Sequence, residues 1–111
     1  MPGTVGAHHA TALQFDVSRT VKLTGVVSKL DWANPHIHLS LKVKVANAAV
    51  ELWDVELASP GGVIVTGLSK DLLTPGTTIS ITGYPAKTKQ AVCAKELILA
   101  DGTTATFVVG I

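Results

Sequence analysis

Between residues 36 and 45 the chain alternates apolar and polar side chains without a break. Ile37, Leu39, Leu41, Val43 and Val45 fall on one parity; His36, His38, Ser40, Lys42 and Lys44 fall on the other. Only an extended strand sends successive side chains to opposite faces. The run therefore predicts a half-buried antiparallel strand, with its apolar row in a core and its polar row in water.

Similar textures surround it. A strand is expected over 19–31, with Gly25 marking a bulge or a tight bend. Trp32-Ala33-Asn34-Pro35 interrupts that strand, because Pro35 restricts Asn34 and favours a turn. Ala46-Asn47-Ala48 reads as a short hairpin loop before a strand over 49–57. Ser59-Pro60 reads as a helix start, Ser at the cap and Pro in the first turn, so a short helix is expected over 60–67. Leu73-Thr74-Pro75-Gly76 is a turn, followed by strands over 77–84 and 91–99 with the polar loop Lys87-Thr88-Lys89-Gln90 between them. Asp101-Gly102 is a hairpin signal leading to a last strand near 103–109. Residues 1–12, small and polar, read as a flexible arm.

This order predicts an all-β domain over residues 13–111. The expected form is a small OB-like barrel of five to six antiparallel strands, with one short helix between strands three and four. Closing a barrel also removes exposed sheet edges. A β-sandwich without the helix is the alternative.

The length of 111 residues fits one domain. Charged residues are 15%, below the usual proportion of about 25%. With a net charge of +1 there is no basic excess, so no nucleic-acid partner is expected. No apolar run reaches the ~20 residues of a membrane-spanning helix. The single cysteine, Cys93, cannot form an intrachain disulfide and reads as a small buried residue.

Against so few charges, four histidines in two pairs stand out: His8-His9 and His36-x-His38. Residues i and i+2 of a strand share a face, with backbones roughly 7 Å apart. Two neutral imidazoles so placed suit copper, zinc or nickel. Asp54, Glu56 or Asp31 could add a third ligand, as could His8 or His9 folding back. A chain beginning at Ala7 would also offer copper(II) its amine, two amides and the imidazole of His9. A solvated strand face is the alternative for His36 and His38, a mobile arm the alternative for His8 and His9.

Other chemistry is sparse. Gly61-Gly62 lacks the strand, spacing and lysine of a phosphate loop, and no G-x-S-x-G element is present. Ser59 is explained as a cap. Glu96 is expected to pair with a lysine. Trp32, Trp53 and Tyr84 are expected at a barrel mouth that could take a small molecule or a partner protein.

Several short motifs then appear in a fixed order. They are Ala7-His8-His9, Phe15-Asp16, Val21-x-Leu23-x-Gly25-x-Val27, Trp32-x-Asn34-Pro35-His36, Trp53-x-Val55-Glu56, Ser59-Pro60, Leu73-x-Pro75-Gly76 and Asp101-Gly102. This order resembles a family of small exported bacterial proteins classed as a domain of unknown function. The family pattern reads His-His-Ser-Phe, Trp-x-Asn-Pro-His, Gly-Ser-Pro, then Leu-Pro-Asp-Gly. Ala10-Thr11 and Gly61-Gly62 depart from it, and His38 is not a fixed part of it. The resemblance implies a leader removed before Ala7 or His8 and a periplasmic location; it brings no activity. The expectation is a periplasmic transition-metal binder, copper before zinc, using His36, His38, His8 and His9. A non-catalytic small-molecule or protein-interaction module is the alternative. An enzyme is disfavoured, because no spacing demands three ligands and an acid or base. A homo-oligomer is compatible with either reading.

Overall fold

In the computed structural model, residues 14–108 are described. The expected arm over 1–12 and the end of the last expected strand lie outside them. The alternating run becomes β2, His38–Lys44. Before it comes β1, Val21–Asp31; after it come β3, Val50–Glu56, and a five-residue helix α1, Pro60–Ile64. The chain ends in β4, Thr78–Pro85, β5, Ala91–Leu99, and β6, Thr104–Thr106. Short 3-10 turns occupy Ala46–Ala48 and Lys70–Leu73.

The sheet order is β3-β2-β1-β4-β5-β6, and β3 pairs again with β5. That last pairing closes five strands into a ring and leaves β6 as an addition on the rim of β5. The expected OB-like barrel with a helix after strand three is therefore what the chain forms. One detail differs: β3 and β5 pair in parallel, through Asp54↔Ala91, Val55↔Val92 and Glu56↔Cys93.

The alternation of β2 predicts its faces correctly. Ile37, Leu39, Leu41 and Val43 are buried, whereas Val45 is 37% exposed. Val45 follows the last residue of the strand, where the chain turns through Asn47 at a φ of 65°. Val63, Leu68 and Leu73, from α1 and the turns after it, join the barrel core. The buried residues among those described are all apolar, and no buried side-chain nitrogen or oxygen lacks a partner. The described interior is thus an apolar core, and the depressions that carry polar or charged side chains open on the outside of the barrel.

Gly25 is not the bulge. The register shift in β1 falls between Val27 and Lys29. Gly25 instead marks where β1 passes from pairing with β4 to pairing with β2, and a Cβ there would strike the Lys42 carbonyl oxygen. The helix ends earlier than expected: after Val65 the chain turns at Gly67, at a φ of 93°. Its cap is as expected, the Ser59 hydroxyl accepting from the Gly62 amide at 3.2 Å.

Candidate functional site

On the outer surface of β1, β2 and β3 the register aligns side chains in rows. Asp31 pairs with His38, and His38 with Glu56; Lys29 pairs with Ser40, and Ser40 with Asp54. Directly paired residues of an antiparallel sheet share a face, with Cβ atoms about 5 Å apart. His38 is thus set among three carboxylates drawn from both neighbouring strands, Asp31 of β1 and Asp54 and Glu56 of β3.

Two of them engage its ring. Nδ1 of His38 lies 3.2 Å from Oδ1 and 3.3 Å from Oδ2 of Asp54. Nε2 lies 3.6 Å from Oε1 of Glu56. Glu56 is the more sheltered carboxylate, 18% exposed against 44% for Asp54. Asp31 lines, with Lys29, His38, Ser40 and Asp54, a depression of about 190 Å³ beside the ring. With a neutral imidazole, an Nδ1–H donated to Asp54 leaves the Nε2 lone pair on the Glu56 side. With an imidazolium, both carboxylates pair with it.

The other histidines are placed differently. His36 precedes β2, so the one-face argument for the pair does not hold. It is exposed and lines a separate groove of about 340 Å³ with Ala58, Ser59, Gly62, Val65, Thr66, Thr106 and Val108. His8 and His9 lie outside the described residues. Among the described residues no group of three His, Cys, Asp or Glu side chains is arranged to hold a metal ion.

The expected aromatic mouth does not form as one surface. Trp32 and Trp53 are half-buried and pack against the core, the Trp53 Nε1–H donating to Glu51 at 3.2 Å. Tyr84 occupies the outward row of β4, with the Lys95 ammonium 5.7 Å from its ring centre. Nor does Glu96 pair with a lysine among the described residues; its register partners are Thr82 and Thr106.

Cys93 is buried, as expected, but its position was not legible. The parallel β3–β5 pairing sets it beside Glu56, and β4 sets it beside Tyr84. Burial first, and the Glu56 charge second, push its thiol up to about 12. A thiol held protonated in this way is a poor nucleophile.

A second feature was missed. Thr24, Gly25, Val26, Lys42, Lys44, Val50 and Thr78 line an apolar groove of about 570 Å³ on the same outer surface. Its sequence signal was present, since Val50 and Leu52 stand on the outward row of β3 where polar residues are the rule.

The profile described as a family of unknown function (DUF6152) matches residues 2–94. Comparison with curated protein sequences finds no match. Among solved structures, the dimeric N-terminal domain of the PriB protein from Thermoanaerobacter tencongensis is similar, at a TM-score of 0.59 and 17% identity. The match covers 75% of this chain and 97% of that one. A mitochondrial single-stranded DNA-binding protein from S. cerevisiae matches at a TM-score of 0.58 and 10% identity, over 74% of this chain and 93% of that one. The Stn1–Ten1 complex of S. pombe matches at 0.56 and 11%, over 73% of this chain and 57% of that one.

At such identities the likeness concerns the fold. It nevertheless corrects the expectation that nucleic acid is excluded, because this barrel is one that single-stranded DNA-binding proteins use. Net charge is a sum over the whole chain. It hides the local separation seen here, with Lys42 and Lys44 at one end of β2 and the carboxylates around His38 at the other. No helix among the described residues is long and apolar enough to cross a membrane.

Proposed function

The chain belongs to DUF6152, a family of unknown function, so its activity has to be read from its own residues, and we propose that it is an exported, periplasmic protein binding a transition metal, copper(II) before zinc. His38 and Glu56 supply the protein ligands, through Nε2 and a carboxylate oxygen. The carrying observation is the contact between Asp54 and His38 Nδ1, 3.2 Å long. A carboxylate on the far nitrogen is the usual support of a metal-bound imidazole: it fixes the tautomer and makes the ligating nitrogen more basic. A nitrogen–oxygen donor pair suits copper(II) and zinc, and copper(II) binds such donors more tightly.

Two ligands make an open site. Its other positions fall to water or to groups beyond the described residues, His8 and His9 being the imidazoles among those. The role is capture and not turnover. His36 is left out, since it faces a different groove.

Calorimetric titration with copper(II) and zinc tests the reading. One equivalent binding at micromolar affinity or tighter is expected, weakened at least about tenfold by His38→Ala and by Glu56→Gln and unchanged by His36→Ala. Equal affinity in all four proteins overturns it.

A further inference from the structure

The far end of the same outer surface carries different chemistry. Rows run across it as they do at His38: Thr78, Val26, Lys42 and Leu52 are successive partners on β4, β1, β2 and β3, and Lys44 pairs with Val50. Three of these side chains are apolar and open to water: Val26 is 39% exposed, Val50 57% and Leu52 55%. Of the residues in these rows, Thr78, Val26, Lys42, Lys44 and Val50 line the groove of about 570 Å³ described above, and Leu52 stands beside it; the volume is within the ordinary range for small-molecule sites. Gly25 lines the groove where β1 and β2 come close, and a Cβ there would strike the Lys42 carbonyl oxygen.

Two cations stand at its rim. Among the described residues neither Lys42 nor Lys44 has a carboxylate within ion-pair distance; the pairs formed are Arg19–Asp16, His38–Asp54 and His38–Glu56. Lysine stems pack along apolar surface while their ammonium groups stay at the edge. On β1, β2 and β3 the outward carboxylates Asp31, Asp54 and Glu56 lie at the opposite end of β2, with Lys29 the one lysine beside them, so the charge along this strand runs from net negative near His38 to positive at Lys44.

We propose that this groove binds a small amphipathic anion. Its apolar body, an alkyl chain or an aromatic ring system, lies over Val26 and Val50, and its carboxylate or sulfonate meets the ammonium groups of Lys42 and Lys44. Charge complementarity selects the head group and the apolar lining selects the body. The acidic end of the surface directs the head away from His38. This site is independent of the metal site and survives if that reading fails.

The probe is 8-anilinonaphthalene-1-sulfonate, compared with its uncharged relative N-phenyl-1-naphthylamine, on the native chain. Saturable binding of the sulfonate at one equivalent is expected. The double substitution Lys42→Gln/Lys44→Gln should weaken the sulfonate about tenfold and leave the uncharged dye within about twofold. Val50→Asp should weaken both. Far-UV circular dichroism and Tm verify that each variant is folded, and Lys22→Gln is the surface-charge control. Dodecanoate should displace the dye. The proposal is overturned by sulfonate binding that does not saturate, or that both groove variants retain. It is equally overturned if a ten-nucleotide oligothymidylate or phosphatidylglycerol vesicles displace the dye and dodecanoate does not, which would make the site one for nucleic acid or for a membrane.

Discussion

Nδ1 of His38, on β2, stands 3.2 Å from Oδ1 of Asp54, on β3, although the two are not direct partners in the strand register. His38 pairs with Glu56, and Asp54 lies one outward position away, opposite Ser40. The imidazole therefore leans along the strand to reach Asp54 with one nitrogen while the other stays near Glu56. In the proposed metal site, orientation of the ring would fall to Asp54 and ligation to Glu56.

That division sets distinct effects for the two acids. Asp54→Asn keeps an acceptor for the Nδ1 proton and removes its charge, so copper(II) affinity should fall by about 10- to 100-fold with the stoichiometry intact. Calorimetry on the substituted protein reads both quantities. An affinity equal to that of the parent chain removes Asp54 from its orienting role.

The buried thiol of Cys93 makes a prediction on the alkaline side. Its pKa is raised from 9.0 to about 12, chiefly by burial, so the folded chain keeps a proton that the unfolded chain releases. The resulting stability is complete below pH 9.0 and is lost as the pH climbs toward about 12. Between pH 8 and 10.5 the Tm of the parent chain should fall more steeply than that of Cys93→Ala. At pH 8 the native thiol should also react with 5,5′-dithiobis(2-nitrobenzoate) at least about a hundredfold more slowly than the unfolded one. Equal reaction rates would show that Cys93 is not shielded.

Two glycines should respond to alanine with opposite signs. At Gly25 the added methyl meets the Lys42 carbonyl, a backbone atom that cannot turn aside, and about 1–3 kcal/mol should be lost. At Gly61, within α1, the methyl meets nothing within 4 Å, and about 0.5–1 kcal/mol should be gained from the reduced freedom of the unfolded chain. Urea unfolding of both variants gives the two differences directly, and a loss at Gly61 would contradict the account of that helix.

Local pattern by itself determined the β-strands, the capped helix at Ser59 and the fold class. Alternation, turn residues and helix caps depend only on near neighbours along the chain, so they can be read without knowing what packs against them. The same pattern turned His38, Asp54 and Glu56 outward correctly. It could not say that they meet, or that His36 does not join them. That follows from the β2–β3 register, and a slip of one residue would turn one strand's whole outward set into the core. Nor could it place Glu56 beside Cys93, since the parallel β3–β5 contact arises only when the barrel closes between residues almost forty positions apart. The aromatic mouth failed for the same reason: Trp32, Trp53 and Tyr84 were grouped by residue type, and closure turned the two tryptophans toward the core and the tyrosine outward. The candidate sites lie on the outside of the barrel, where pairing between distant strands, not local sequence, decides which outward side chains become neighbours.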